Sequence, residues 1–369
     1  MFDKLTIYPH LNIRSFFRSP KAKKEKNIIY TSRATASLFI LLKSLLAQHK
    51  SYILLPAYVC KDLIEPILAL KLKPLYYSLD NQLNPNIDEI KKSISSNPEQ
   101  VSLIIAVNYF GFKQNFEKLH LISQEYNIPF LEYCAHLVDS EKNLSKIKHT
   151  LHYKIYSPRK FFPLFDGGLL VFPSNKKLPI DHIEQKKLTS LIIWLFWQLM
   201  SNIRLYTLSS KIYNFIKKRF ISPKSSLTTP PHYTPFTMSQ FSTSLFLKQN
   251  SDNAIKIRHS HMTMMVETLE STPLITPLFK PLEDDSMPYF LPIQCPSNEK
   301  CKIEKIFNKA GLTLTTWPFL PDTIKGNPKY PQENEWANTI LGIPISQHIS
   351  TRKYKKTCNN LIKLFTVKI

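Results

Sequence analysis

The chain has 369 residues, of which 43% are hydrophobic and only 6 are glycine, so it is not intrinsically disordered, collagen-like or glycine-rich. Lys and Arg number 49 against 27 Asp and Glu, which gives a formal net charge of +22. Most of these cations are lysines, whereas arginine is the better reader of bases and phosphates, so the surplus does not predict a nucleic-acid partner. The sequence contains no GxGxxG or GxxxxGK[ST] motif, which excludes those two nucleotide-binding loops.

The cysteine pattern indicates a reducing compartment. There is no CxxC pair, and the chain does not begin with a basic region followed by an apolar one. These features predict free thiols in a cytoplasmic protein without a signal peptide. Neither Cys295 with Cys301 nor His259 with His261 has a spacing typical of zinc ligands, so no metal site is predicted.

The N-terminal half alternates between predicted helices and strands. Residues 1–30 are basic and irregular, which predicts a solvated arm. An amphipathic helix follows, indicated by the leucine stripe Leu38, Leu41, Leu42, Leu45 and Leu46. Strands are predicted at 52–56, 74–80, 103–111 and 128–136, and helices at 62–70, 88–95 and 116–126. This alternation predicts an α/β fold with a mostly parallel sheet and helices on both faces, and ligands bind such sheets beyond the carboxyl ends of the strands.

The second half contains an apolar segment and a domain boundary. The stretch 188–200 is shorter than the roughly 20 residues that cross a bilayer, and basic residues follow it up to 220. It is either a buried or subunit-interface helix or a helix that lies on a membrane surface. The proline-rich stretch 222–235 predicts a boundary. We therefore predict a large α/β domain over 31–235, which includes the apolar segment 188–220, and a small α+β domain over 236–369.

One lysine is distinguished by its surroundings. Lys160 ends the turn Ser-Pro-Arg-Lys after an apolar strand, and Asp166-Gly167-Gly168 opens the next apolar strand. The spacing from Lys160 to the glycine pair resembles that of the DegT/DnrJ/StrS-type pyridoxal-phosphate-dependent sugar aminotransferases. Further blocks resemble this family in the same order, at 34–38, 54–80, 107–112, 131–136 and 340–350.

The resemblance implies a fold-type-I aminotransferase with pyridoxal 5'-phosphate bound to Lys160 as a Schiff base. Lys160 would also move the substrate proton. The resemblance further implies that Ala34, Thr35 and Ser157 hold the cofactor phosphate and that His136 orients the ring. The implied substrates are a nucleotide-linked keto-sugar and an amino-acid donor, in surface polysaccharide or lipopolysaccharide sugar synthesis. Such enzymes are homodimers whose sites lie at the subunit interface.

Three positions depart from the family pattern. Tyr133 stands where the family has an aspartate that pairs with the pyridine nitrogen, and a phenol with a pKa of about 10 supplies no such charge. The electron sink is therefore weaker. The adjacent Glu132 should point to the opposite face of its strand. Cys60 occupies the position of an aromatic residue that stacks on the ring, and Ser157 lies nearer to Lys160 than the corresponding serine of many relatives.

Tyr133 leaves two further functions open. The chain could be a family member without transaminase activity, such as a binding or scaffold protein held at a membrane surface through 188–220. It could instead keep the cofactor and catalyse an elimination or racemisation, which needs less carbanion stabilisation. A thiol site formed by Cys134 and His136 is a weaker alternative, since nothing else of a thiol enzyme is visible.

Overall fold

The computed structural model describes residues 23–46, 51–97, 99–178, 183–184, 191–195, 198, 233–270, 272, 275–279 and 286–366. Most of the predicted arm, of the apolar segment 188–220 and of the proline-rich stretch lies outside these residues. Within the apolar segment, 191–195 are helical. Among the described residues, no helix is both long enough and apolar enough to cross a membrane. The predicted division into an arm and two domains stays a prediction.

The strands follow the predicted positions closely in the N-terminal half. They are β1 (Ile28–Thr31), β2 (Tyr52–Pro56), β3 (Lys73–Tyr77), β4 (Val101–Val107), β5 (Phe130–Cys134), β6 (Leu137–Asp139), β7 (His152–Tyr156), β8 (Gly168–Val171), β9 (Thr276–Pro277), β10 (Ser286–Pro288), β11 (Phe290–Gln294), β12 (Thr315–Thr316) and β13 (Ile340–Pro344).

The helices include the one predicted from the leucine stripe. They are α1 (Ala34–Leu45), α2 (Ile64–Ala69), α3 (Ile87–Ser96), α4 (Glu117–Glu125), α5 (Glu141–Leu144), α6 (Gln240–Leu247), α7 (Ser251–Leu269), α8 (Lys300–Ala310), α9 (Pro331–Thr339) and α10 (Thr351–Thr366). In α1, the stripe residues Leu38, Leu41, Leu42 and Leu45 are all buried.

A seven-stranded sheet forms the centre of the molecule, in the order β1-β8-β7-β5-β4-β2-β3. The pairs among β3, β2, β4, β5 and β7 are parallel, whereas β8 is antiparallel to both β7 and β1. Every residue of β4 is buried, as expected for a strand covered on both faces. The predicted α/β fold with a mostly parallel sheet is confirmed.

The predicted arm 1–30 is wrong at its end, because Ile28–Thr31 forms β1 and pairs with β8. Four residues are too few to show the alternation of a strand, and the lysines just before them give the segment a solvated composition. The strand matters for the site because α1 begins at Ala34, three residues after β1 ends at Thr31.

The C-terminal part contains two smaller antiparallel sheets. One has four strands in the order β12-β13-β11-β9, and the other joins β10 to β6. The β10–β6 pair links this part to the larger sheet region, since β6 follows β5 closely in the chain. Helices α7, α8 and α10 pack together beside these sheets, which agrees with the α+β character expected there.

The close approach of β8 to the start of α1 explains one of the paired glycines. A Cβ atom on Gly168 would lie 2.2 Å from the carbonyl carbon of Arg33 and 2.6 Å from the amide nitrogen of Ala34. Both are backbone atoms, which cannot rotate away. At the neighbouring Gly167, the nearest atoms to an added Cβ are at 3.4 Å, an ordinary contact. Gly168 is therefore the glycine that this packing requires.

We expect Gly168→Ala to lower the free energy of unfolding by about 3 kcal/mol, because the methyl group overpacks a rigid backbone contact. Gly167→Ala is the matched control and should cost about 1 kcal/mol or less. Urea unfolding followed by circular dichroism measures both values. Equal effects of the two substitutions would contradict this account.

Candidate active site

The residues predicted to form the site converge at one edge of the large sheet. Cys60 follows β2, Tyr133 lies near the end of β5, and the turn 157–160 follows β7 directly. Because β2, β5 and β7 are parallel members of one sheet, their carboxyl ends meet at this edge. The N-terminus of α1 joins them through the contact with Gly168.

The first turn of α1 presents backbone donors. The amides of Ala34 and Thr35 stand in the first helical turn, where no intrahelical acceptor exists. The helix dipole adds a partial positive charge there, so this end favours an anion. The hydroxyl of Tyr233 donates to Thr35 Oγ1 at 2.6 Å, and the ring of Tyr233 stacks on Phe39. Tyr233 was not predicted, since it lies far along the chain from Thr35.

Ser157 offers a further group for an anion. Its side chain is fully buried, and Oγ has no hydrogen-bond partner among the described residues. A buried hydroxyl left without a partner is costly, so its position suits a ligand oxygen. Arg33 and Arg159 lie near each other at the same place, close enough for their charges to interact. These groups together fit a phosphate.

Lys160 lies in an environment that favours the neutral amine. Burial lowers its pKa to about 8, with a further contribution from the charge of Arg159, while Cys60 and Asp62 act in the opposite direction. Its Nζ lies 5.6 Å from the centre of the Tyr289 ring. A lysine that loses its proton near neutral pH can act as a nucleophile and as a base.

Asp62 is an acidic residue that the sequence analysis missed. Its charge acts on Lys160, Cys60 and Tyr133 alike, although its own side chain is exposed. It lies in the short turn after Cys60, and its sequence context resembles that of any surface aspartate. Only the folded structure, in which the charge of Asp62 acts on Lys160, shows that Asp62 belongs to the site.

His136 is enclosed by aromatic rings. It stacks on Tyr289 with ring centres 4.9 Å apart, and it contacts Trp317 edge-on at 4.7 Å. Burial lowers the pKa of His136 well below its usual range, and the charge of Lys160 acts in the same direction, so the ring is neutral. Its Nδ1 has no hydrogen-bond partner among the described residues. A neutral imidazole with a free nitrogen can accept or donate one hydrogen bond to a cofactor oxygen.

Tyr133 and Glu132 lie on opposite faces of β5, as the alternation of a strand predicted. Glu132 contacts His152, His120 and Lys154 on one face. On the other face, burial raises the pKa of Tyr133, and the nearby Cys60 and Asp62 raise it further. Tyr133 therefore stays a neutral phenol at every physiological pH, and Glu132 cannot take its place.

Cys60 lies beside Lys160 and Tyr133 and is half-buried. Burial and the charge of Asp62 raise the pKa of its thiol, so the thiol stays protonated. Tyr58 does not replace it as a ring-stacking residue, because Tyr58 is fully buried and donates to the carbonyl of Trp317. Tyr58 is the one aromatic residue among 57–63, the segment between β2 and α2 that contains Cys60, so this segment supplies no aromatic substitute.

A buried arginine holds two residues next to Lys160, Phe161 and Tyr289, in place. Arg258, which is fully buried, donates to the carbonyls of Pro288 and Tyr289 at 2.8 Å, and its guanidinium lies over the ring of Phe161. Its Nε donates to Gln347, which in turn donates to the carbonyl of Phe161. Arg258 thus holds the residue that follows Lys160 and the residue whose ring Lys160 faces.

Asp166 has a structural role that its place beside the glycine pair did not reveal. Its carboxylate accepts hydrogen bonds from the backbone amide and the hydroxyl of Ser239, the residue that caps α6. It therefore ties the start of β8 to a helix from the C-terminal half. This contact stabilises the position of Gly167 and Gly168.

The weaker alternatives find no support in the contacts. Cys134 Sγ accepts from Asn108 Nδ2 at 3.2 Å, and β5 ends before His136, so these two residues do not form a pair. Within the described residues, none of Cys295, Cys301, His259 and His261 belongs to a group that could hold a metal ion.

The mixed, mostly parallel sheet flanked by helices is the fold of the fold-type-I aminotransferases. Residues 20–183 match the sequence model of the DegT/DnrJ/EryC1/StrS aminotransferase family. The segment that contains Lys160 therefore matches this family, and the resemblance expected from the sequence is confirmed there. The block at 340–350 lies outside the matched segment.

Solved structures of aminotransferases share this fold along almost the whole chain. The Helicobacter pylori aminotransferase of pseudoaminic acid biosynthesis covers 99% of this chain and 100% of its own, at 13% identity and a TM-score of 0.66. A putative sugar aminotransferase from Streptococcus pneumoniae, solved in its pyridoxal-phosphate form, gives the same coverage at 14% identity and a TM-score of 0.65. At these identities the likeness concerns the fold.

A further solved structure and one curated protein are also similar to this chain. A Bacillus subtilis protein solved with the bound cofactor pyridoxamine phosphate covers 92% of this chain and 73% of its own, at 14% identity and a TM-score of 0.59. An uncharacterised protein of Methanocaldococcus jannaschii is 25% identical over 173 residues, which are 46% of this chain. The match spans only 43% of that curated relative.

We expect the reactivity of Lys160 toward trace acetic anhydride to rise with a midpoint at pH about 8, rather than at 10.5, the ordinary pKa of a lysine. Only the neutral amine reacts, and burial disfavours the charged form. Mass spectrometry of the peptide that contains Lys160 measures the midpoint. In Arg159→Gln the midpoint should rise, because a nearby positive charge is removed. A wild-type midpoint near 10.5 would show that Lys160 is solvated.

Proposed function

We propose that this chain is a pyridoxal-phosphate-dependent aminotransferase that acts on a nucleotide-linked keto-sugar, with Lys160 as the catalytic lysine. The observation that carries the proposal is the desolvated amine of Lys160 beside a buried hydroxyl and a free helix N-terminus. The amine suits the aldehyde of the cofactor, and the hydroxyl and the helix N-terminus suit its phosphate. The family match of residues 20–183 supports the same conclusion.

The site residues divide the work of holding the cofactor. When bound, pyridoxal phosphate supplies an electron sink for the carbanion of the amino substrate. The amides of Ala34 and Thr35 and the hydroxyl of Ser157 would hold the phosphate. His136 would hydrogen-bond the phenolic oxygen of the ring. Lys160 Nζ would hold and move the substrate proton as a general base.

Tyr133 sets the limit on the reaction rate. Its neutral hydroxyl, held next to Cys60, would donate a hydrogen bond to an uncharged pyridine nitrogen. A neutral ring stabilises a carbanion less than a protonated one, so transamination should be slow. We therefore propose a weak aminotransferase rather than a fast one.

The substrate class is proposed from the net charge of the chain and from the proteins that share its fold. The net charge of +22 favours anionic substrates such as sugar nucleotides. Structural neighbours include an aminotransferase of pseudoaminic acid biosynthesis and a putative sugar aminotransferase. We propose an amino-acid donor, a role in surface polysaccharide or lipopolysaccharide sugar synthesis, a homodimer and a cytoplasmic location. A weak membrane-surface association through 188–220 remains part of the proposal.

Cofactor binding is tested by an absorption spectrum of the purified protein with added pyridoxal phosphate, taken before and after borohydride. We expect a visible band of lysine-bound cofactor that borohydride fixes to the peptide with Lys160. Lys160→Ala should lose both the band and the fixed label, whereas Lys325→Ala, an exposed lysine remote in sequence, should keep them. No band in the wild-type protein would favour the alternative of a binding or scaffold protein that has kept the fold.

The role of Tyr133 is tested by Tyr133→Asp. A carboxylate opposite the pyridine nitrogen restores the counter-ion, so the half-reaction with glutamate should accelerate at least tenfold, which corresponds to about 1.4 kcal/mol of barrier. Tyr133→Phe is the control, since it removes the hydroxyl without adding charge, and it should be slower than the wild type. A Tyr133→Asp variant that is no faster would overturn this account. Product analysis then distinguishes transamination from elimination or racemisation, the remaining alternative.

A further inference from the structure

A histidine-rich cluster lies on the face of the large sheet opposite Tyr133. His120 comes from α4, Glu132 from β5 and His152 from β7. One ligand atom of each residue lies within 4.8 Å of the other two. The proposed aminotransferase chemistry does not use these residues, because Glu132 and Tyr133 point to opposite faces of β5.

The two imidazoles face the same carboxylate oxygen, but neither makes a hydrogen bond of normal geometry to it. The distance to Glu132 Oε1 is 3.2 Å from His152 Nε2 and 3.6 Å from His120 Nε2. The side chain of His152 is completely buried, and that of His120 is 8% exposed. Neither Nε2 atom makes a hydrogen bond of normal geometry to a described residue. Two buried nitrogens that contact one carboxylate oxygen without a hydrogen bond of normal geometry leave a common point that a further atom can fill.

We propose that His120, Glu132 and His152 bind one Zn²⁺ ion through the two Nε2 atoms and Oε1. Two imidazoles and a carboxylate are a ligand set that zinc takes in proteins, and three protein ligands leave a fourth position for water. Ligand atoms at zinc-bond lengths in a tetrahedron lie about 3.3 Å apart. The observed 3.2 Å and 3.6 Å bracket that spacing.

The groups behind the ligands define what zinc binding must change. His120 Nδ1 lies 2.9 Å from His149 Nε2, and His149 Nδ1 accepts the amide of Leu151 at 3.3 Å. When His120 Nε2 binds the ion, His120 can donate its remaining proton to His149 Nε2 once the proton of His149 moves to Nδ1, and the bond from Leu151 is then lost. His152 Nδ1 accepts the amide of Lys148 at 3.0 Å, and this bond is lost when the proton moves to Nδ1. Lys148 is exposed, so its amide can turn to water at a modest cost.

Lys154 is the nearby charge that opposes a bound cation. Lys154 Nζ lies 4.0 Å from Glu132 Oε2, which is the oxygen not used for zinc. The same ammonium lies 3.7 Å from Asp139. Asp139 thus offers Lys154 a second partner and weakens its competition for Glu132.

The first test measures bound zinc by equilibrium dialysis of the full-length protein against Zn²⁺, followed by elemental analysis. We expect one tightly bound ion per chain in the wild type. His152→Gln and Glu132→Gln should weaken binding of this ion at least 100-fold, in line with loss of one of three ligands. His259→Gln, a half-buried histidine outside the cluster, is the matched control and should bind zinc normally. Unchanged zinc binding in both cluster variants would overturn the proposal.

The second test needs no substitution, so a variant that fails to fold does not weaken it. Nitrogen NMR of ¹⁵N-histidine-labelled wild-type protein reports which ring nitrogen carries the proton. Zn²⁺ should move the proton of His120 and His152 from Nε2 to Nδ1 in a one-to-one titration. Spectra that do not change at these two residues would show that any bound zinc lies elsewhere. Neither readout depends on pyridoxal phosphate, so the two proposals fail separately.

Discussion

The backbone contact between Gly168 and the start of α1 is the constraint on which the proposed site depends. It brings three segments together. They are the start of β8 with its glycine pair, the first turn of α1, and the turn after β7 that carries Ser157 and Lys160. The first turn of α1 and the turn after β7 supply the groups of the proposed anion site, and β8 holds the two turns together. A helix end alone binds anions weakly and without direction, but a helix end fixed against a strand acquires a defined distance to a lysine.

Desolvation and charge then give the lysine its properties. Lys160 lies between the like charge of Arg159 and the opposing carboxylate of Asp62, which is exposed to solvent. Burial determines the outcome, because a half-screened surface carboxylate cannot restore what the amine loses in hydration. The same low-polarity surroundings keep Tyr133 uncharged. The site therefore pairs an activated amine with a ring-nitrogen partner that carries no charge, and this combination separates the chain from the family pattern.

Much of this was accessible from the sequence because it follows from local rules. The alternation of strands and helices, the leucine stripe of α1 and the spacing from Lys160 to the glycine pair each depend on nearby residues only. Side-chain alternation along β5 correctly separated Tyr133 from Glu132. Other features depend on contacts between distant segments and have no local signal. The hydroxyl of Tyr233 on Thr35 is one case, and the buried Arg258 that braces Phe161 is another. The histidine cluster is a third, since its members come from three different elements and no motif spacing marks them.

The order of strands in the large sheet also has a consequence for the synthesis of the chain. Among the strands of the large sheet β1 is synthesised first, yet its neighbour in that sheet is β8, which is made about 140 residues later. At a synthesis rate of roughly 5–20 residues per second, the apolar helix α1 waits many seconds for its final packing partner. Until then, the buried leucines of α1 lack the strand against which this helix packs in the folded chain. The corner formed by β1, α1 and β8 can thus assemble only after β8 has been made, later than the central parallel strands β2, β3, β4 and β5 can pair.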